Sequence, residues 1–405
     1  MLPNFSFRTR LKNSLDVAER CIPILGARSF ESNMGRQAFK REKFVAETAI
    51  LLYAAFNADQ LDSQLRNRCY EIGHQLRPLA RSDEILALMR LRQNMIPELS
   101  VGHVCLTDIG ISDEKFDEVV SVLLLDGYRA PERAPWKDLE ADWLSSKCKY
   151  FPIPSYINIS TERTTLATGL DALTSRREEI YAFTHAAIYM TDFGRKIIKA
   201  PRELAEIIGD AEAALSRCID DDDFDLCAEI LMTWPYFRSA MSQTGQFCLR
   251  VLANVEDEVG FLPSLTIKVD EIKDLQADKR LHKLLDETYH TVYVMGLLSA
   301  AMMNGQWLDY PATTPRSANI AKRLFDLLPH KKPVPQWEAA YAEVSDDVRN
   351  SLSHFIAAIA LRRALLANNL GLVRDILIVC FDGNISGSPS IINSAKIIGR
   401  FVHAT

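Results

Sequence analysis

The chain is short of the signatures that announce a familiar chemistry. Its eight cysteines (Cys21, Cys69, Cys105, Cys148, Cys218, Cys227, Cys248 and Cys380) include no Cys-x-x-Cys pair. That excludes a zinc ribbon and argues against a disulfide framework. They read instead as small buried hydrophobes in a reducing compartment. No Gly-rich phosphate loop, dinucleotide fingerprint, serine elbow or His-Glu-x-x-His pattern occurs. The longest apolar run, Val292 to Met303, is too short to span a bilayer. Arg8, Arg10 and Lys12 are followed by Asp16, Glu19 and Arg20 before any signal-peptide apolar region forms. A cytoplasmic location without a membrane span is the expectation. No set of alternating strands is visible, and at most Leu265 to Val269 could extend.

What remains is ordinary globular material in a chain of 405 residues, with 48% hydrophobic and 25% charged residues. Such a chain can bury a large core without disulfides or a structural metal. The net charge of −6 leaves no nucleic-acid footprint. Residues 1–44 carry nine basic and four acidic residues, best read as a solvated helix face.

Helical periodicity dominates from Lys43–Phe56 to residues 390–402, with 278–303 read as one helix. Pro131, Pro135, Pro152 and Pro154 mark a long irregular stretch. The expected organisation is an N-terminal helical part (1–130), an irregular linker or insertion (131–165), and a C-terminal helical part (166–405). Four apolar helices begin at or near a histidine: His103, His185, His290 and His354. Two of them end alike, in Thr107-Asp108-Ile109-Gly110 and Thr191-Asp192-Phe193-Gly194. Apolar helices alternating with amphipathic ones suit the two rows of an α/α toroid or solenoid, so the fold class is all-α.

Three polar patterns could carry chemistry. His185, Tyr189 and Asp192 stand at i, i+4 and i+7, one face of a helix, and could form an acid/base set. They also suit a capped helix. His282, Asp286, His290 and Tyr293 follow a similar stripe, able to hold a divalent metal or fix a tautomer. Alternatively, only His290 enters the core. The run Asp220 to Asp223 with Asp225 contains both Asp-Asp-x-x-Asp and Asp-x-Asp-Asp strings, used by terpene synthases and cyclases; acids at a helix start explain it as well. Asp225 and Glu229 differ from that run, one turn apart inside an apolar pattern.

The segments Thr184-His185, Thr191-Asp192-Phe193-Gly194, Phe224-Asp225-Leu226, Glu229-Ile230-Leu231, Tyr289-His290-Thr291 and Ala46-Glu47-Thr48-Ala49 resemble a bacterial, mainly actinobacterial, family of helical toroid-like proteins of unknown function. Its members are often encoded beside natural-product genes. Phe193 and Phe224 stand where that family more often has tryptophan, and Cys227-Ala228 where a small residue or glycine is usual. The resemblance implies a toroid and a specialised-metabolism setting, but no activity.

These readings converge on a cavity enzyme in which His185, Asp192, Asp225, Glu229 and His290 meet. The histidines would be bases or metal ligands, Asp192 and Glu229 orienting groups or acids, and Tyr189 and Tyr289 donors. The partner would be a hydrophobic small molecule or peptide. No cofactor is assigned, and metal identity stays open. The rival is a non-catalytic scaffold for a peptide or protein.

Overall fold

The computed structural model describes residues 6–27, 41–127, 133–148, 161–267, 275–305 and 320–404. Its helices run α1 (Phe7–Ala27), α2 (Arg41–Phe56), α3 (Ser63–Ala80), α4 (Asp83–Leu91), α5 (Ile96–Asp108), α6 (Glu114–Gly127) and α7 (Pro135–Lys147). Next come α8 (Thr165–Thr168), α9 (Arg177–Met190), α10 (Leu204–Asp220), α11 (Phe224–Leu231), α12 (Thr233–Tyr236), α13 (Gln243–Val259), α14 (Ala277–Glu287) and α15 (Tyr289–Met302). The last are α16 (Ile320–Asp326), α17 (Gln336–Glu343), α18 (Asp346–Ser351), α19 (Ser353–Leu366), α20 (Leu370–Asp382) and α21 (Pro389–Ala404). No strand occurs among the described residues. Leu265 and Thr266 form a turn, and Lys268 and Val269 of the candidate strand lie outside the described residues.

Six helices form a closed cycle. In chain order α2 packs on α5, α5 on α7, α7 on α9, α9 on α11 and α11 on α15, and α15 returns to α2. The other elements back this cycle: α1 lies on α15, α3 on α2, α6 on α5, and α10 and α13 on α11. Helices α2, α5 and α15 are buried on nearly all faces, so their Ala-, Leu- and Val-rich sequences need no polar stripe. The α1–α15–α2 contact depends on Gly296, where a Cβ would come within 2.7 Å of both Leu51 and Ser14.

Two differences from the sequence reading matter for the site. The stretch expected to be irregular contains α7, because Pro135 occupies the first helical turn, where its missing N–H costs nothing; Pro131, Pro152 and Pro154 lie outside the described residues. The helix expected over 278–303 is two, broken at buried Thr288, whose hydroxyl donates to the Leu262 carbonyl at 3.0 Å and accepts from the Ser264 amide. The break takes α14 and α15 out of phase. His282 is exposed while His290 turns inward, and Asp286 lies outside the residues whose side chains are described.

The C-terminal helices gather around α19, which packs on α10, α16, α20 and α21. Their anchor is the aspartate run. Buried Asp220 accepts from Arg363 Nε at 3.1 Å and Trp337 Nε1 at 3.1 Å. Asp221 pairs with Lys331 and Arg362, each at 2.7 Å, and Asp222 accepts from the Gln336 amide. Asp223 caps α11 through the Leu226 amide. Asp220, Asp221 and Asp222 thus serve this junction, which removes the support for reading the run as a diphosphate or alkene-protonation motif.

Candidate functional site

The helical cycle surrounds a cavity of about 320 Å³. Apolar side chains form most of its wall, among them Ile50, Leu99, Ile188, Phe193, Met232 and Leu297. One part of the wall is ionisable, because four helices of the cycle turn an acid or a histidine towards it. Glu47 comes from α2, His185 from α9, Glu229 from α11 and His290 from α15. A second cavity, also about 320 Å³, lies on the far side of His290; Lys43, Arg177, Asp223 and Asp225 line it. His290 and Lys43 border both.

His290 is held between two carboxylates. Its Nδ1 lies 3.0 Å from Glu47 Oε1 and its Nε2 3.3 Å from Asp225 Oδ1. Burial disfavours the imidazolium, but the two carboxylates outweigh it and raise the His290 pKa well above its usual value. For the same reason Glu47 and Asp225 titrate below their usual range, although burial alone would raise both. Arg177 reaches Asp225 Oδ2 at 3.2 Å and Asp223 at 2.8 Å.

Glu229 and His185 form the second group. Thr184 donates its hydroxyl to Glu229 Oε2, and His185 Nδ1 lies 3.5 Å from the same oxygen. Burial, reinforced by the Asp225 charge, pushes the Glu229 carboxyl up to about 8. Burial pushes His185 down to about 3, against the hydrogen bond to the Tyr181 carbonyl. That carbonyl accepts from His185 Nδ1 at 3.1 Å, which assigns the proton to Nδ1 and leaves Nε2 as an acceptor. Tyr181 stacks on the imidazole at 3.7 Å, and Trp136 meets it edge-on at 5.0 Å. The donor atoms of Asp225, Glu229 and His290 lie within 4.8 Å of one another, a set able to hold a metal ion.

Of the residues singled out in the sequence, His185, Glu229 and His290 meet at this wall, with Asp225 immediately behind it. Asp192 does not join them. Helix α9 ends at Met190, and Asp192 adopts a left-handed φ of 51°, so the i, i+4, i+7 stripe fails at its last member. The buried Asp192 carboxylate instead accepts from Tyr53 at 2.5 Å, Trp143 at 2.7 Å and Lys147 at 2.9 Å. Burial opposes its ionisation, but these bonds outweigh burial and hold it below the usual carboxylate range. Asp108 of the matching Thr-Asp-Ile-Gly segment also reaches Lys147, at 3.5 Å, and pairs with Arg195 at 3.2 Å, which stands 4.0 Å from Asp192. The repeated segment thus builds a structural clasp. Tyr189 lines the cavity and donates to Glu140 at 2.7 Å, while Tyr289 borders the second cavity.

Sequence reasoning did not select Glu47, Glu140, Lys137 or Arg177 for the site. Lys137 bridges Glu98 at 2.9 Å and Glu140 at 2.8 Å along the cavity wall. Glu47 had a usable signal: it is a carboxylate inside an Ala- and Leu-rich buried helix, which is costly unless paired. Lys137 and Glu140 had none, because α7 itself was not anticipated.

Fold and wall together define an all-α protein with a closed helical cycle around a mainly apolar cavity bearing one polar patch. The profile of the family described as a domain of unknown function, DUF6895, matches residues 13–300, and the chain belongs to that family. The match contains five helices of the cycle whole, α15 up to residue 300, and every cavity residue named above. No curated protein and no solved structure matches the chain. No helix among the described residues is long and apolar enough to cross a membrane.

Proposed function

We propose that the protein is an enzyme acting on a hydrophobic small molecule or a peptide side chain held in the cycle's cavity. The observation that carries this reading is the wall itself. A mostly apolar cavity of about 320 Å³ brings His185, Glu229 and His290 together from three helices. Ligand pockets are typically apolar with a few convergent polar groups, and ionisable clusters in them are the usual seat of catalysis. In this reading His185 Nε2 moves the proton, stacked Tyr181 fixes the ring plane, and the Tyr181 carbonyl fixes the tautomer. Water is displaced by the apolar lining, which strengthens every charge at the wall.

The wider setting proposed is a cytoplasmic protein of bacterial specialised metabolism with an α/α toroid. Six inner helices that follow one another in chain order and close on themselves favour that architecture. A scaffold that only binds a peptide remains the alternative, favoured by the several cavity carboxylates already engaged in ion pairs.

The test has two stages. Binding of the neutral fluorophore N-phenyl-1-naphthylamine should saturate at one per chain and be abolished by Ile188→Trp, which fills the cavity. Cells carrying folded His185→Ala protein should then lose a hydrophobic product that the unaltered chain makes. Absence of probe binding refutes the cavity reading, and an unchanged product profile in the His185→Ala cells refutes catalysis and leaves the scaffold.

A further inference from the structure

We infer that Asp225, Glu229 and His290 form a binding site for one divalent first-row transition ion, Mn²⁺, Fe²⁺ or Zn²⁺, in the partition between the two cavities. The inference deepens the enzyme reading and rests on it only for what the ion would do there, not for its binding.

The donor set is the first argument. Two carboxylates and one imidazole offer ligand atoms within 4.8 Å of one another, on two helices that pack together. An ion about 2.0–2.2 Å from each donor sets neighbouring donors roughly 3–3.5 Å apart, so side-chain adjustments of about an ångström close the site. Oxygen with imidazole nitrogen suits Mn²⁺, Fe²⁺ and Zn²⁺, and no thiolate is present to favour a softer ion.

The second argument is an unfinished interaction. Asp225 is 9% exposed, yet its buried Oδ1 accepts no aligned hydrogen bond; His290 Nε2 stands 3.3 Å away, off-line. A buried carboxylate oxygen without an aligned donor is costly and calls for a partner. An ion between Asp225 Oδ1 and His290 Nε2 satisfies both atoms.

The third is that every ligand has an outer partner of the kind metal sites use to aim their donors. Glu47 forms an ion pair with His290 Nδ1 at 3.0 Å, off the line of a hydrogen bond, and leaves Nε2 as the ring atom facing Asp225. Thr184 holds Glu229, and Arg177 holds the other oxygen of Asp225. Charge agrees. The ion displaces the protons that His290 and Glu229 otherwise hold; with both gone, Glu47, Asp223, Asp225 and Glu229 face two cations, Lys43 and Arg177. The excess of two negative charges matches a divalent ion. Access is built in as well: Asp225 borders the charged cavity, Glu229 the apolar one and His290 both. An ion can enter from the first and present open positions to a substrate in the second. Three protein ligands with open positions are the arrangement of a catalytic rather than a structural site.

The full-length chain, stripped with chelator and dialysed, should bind one equivalent of Mn²⁺ or Zn²⁺ by calorimetry and gain thermal stability. Asp225→Asn, Glu229→Gln and His290→Gln should each weaken binding at least 100-fold. Glu47→Gln, acting through His290, should weaken it roughly 10–100-fold. Asp192→Asn should leave it unchanged. Should the ligand variants fail to fold, pulsed EPR of Mn²⁺ on the unaltered chain decides: coupling to one imidazole nitrogen supports the site, and coupling to none overturns it. No binding, or binding indifferent to all three ligand substitutions, also overturns it. N-phenyl-1-naphthylamine binding measured on the same metal-free sample separates the readings. Probe binding without metal binding removes the ion alone, and metal binding without probe binding removes the apolar cavity alone.

Discussion

Replacing Asp192 by asparagine separates a structural carboxylate from a chemical one. Asp192 is 3% exposed and serves Tyr53, Trp143 and Lys147, which belong to α2 and α7, so it ties the end of α9 to two other helices of the cycle. Asparagine keeps the shape and can still accept from Tyr53 or Trp143. What it removes is the charge opposite Lys147, whose side chain is 12% exposed. Breaking a buried pair by neutralising one partner costs about 3–5 kcal/mol. Asp108, 3.5 Å from the same ammonium, keeps a partner in place, so the cost falls just below that range, to about 2.5 kcal/mol. At roughly 2.1 cal/mol/K per residue, unfolding all 405 residues together carries an entropy of about 0.85 kcal/mol/K. The melting temperature should therefore fall by about 3 °C. Because the Asp192 carboxyl is held below its unfolded value, its stabilisation is present at neutral pH and lost as pH falls through the folded pKa. The variant's deficit should thus disappear in acid. Binding of N-phenyl-1-naphthylamine by the folded variant should match that of the unaltered chain. A variant of unchanged stability that loses probe binding would refute this reasoning and return Asp192 to the site.

Two further perturbations test the framework. His103 is neutral in the fold, because burial and Arg81 hold its pKa at about 4, against the pull of Asp117. The unfolded chain takes up a proton near pH 6.5, so stability should fall by about 3 kcal/mol between pH 6.5 and 4 relative to His103→Gln, followed by urea unfolding; a difference that stays constant with pH sinks the argument. Arg363→Ala leaves the carboxylate of Asp220, 1% exposed, without its nearest guanidinium, with Arg362 at 3.7 Å the one that stays, and should cost about 3–5 kcal/mol in the same assay while sparing probe binding. A cost under about 1 kcal/mol would show that Lys331, Arg362 and Trp337 suffice for Asp220.

Much of the helical order was legible because buried helices write themselves in Ala, Leu and Val, and α2 and α15 do so on nearly every face. Helix α7 was not legible, since Pro135 is punctuation in a sequence and a sound first residue in a helix. The break at Thr288 left no mark either: it is set by the Leu262 carbonyl, which is 26 residues away. Asp225 and Glu229 stood out by a local rule, two acids one turn apart within an apolar pattern, and both reach the partition. Glu47 and Asp225 share His290, but the pairing joins α2, α11 and α15, and no local pattern encodes it.

The repeated segments misled for a physical reason. Thr107-Asp108-Ile109-Gly110 and Thr191-Asp192-Phe193-Gly194 each end a helix of the cycle, with Gly110 and Gly194 at φ of 96° and 80°. A Cβ at Gly194 would come within 2.9 Å of Tyr236, so the turn is also a packing contact. Every inner helix of a closed cycle must end and be fastened to its neighbours. A motif that solves this is useful at more than one place in the cycle, and Asp108 and Asp192 share Lys147 for that purpose. A reaction centre needs its groups only once. Of the four histidines expected at helix starts, His290 and His354 lead theirs while His103 and His185 lie well inside theirs; His103 is buried and saturated by Arg81 at 3.0 Å and Asp117 at 2.8 Å, and only His185 and His290 reach the cavity. Internal similarity in this chain therefore marks architecture. The chemistry proposed above draws on residues outside the copies, Glu47, Asp225 and Glu229.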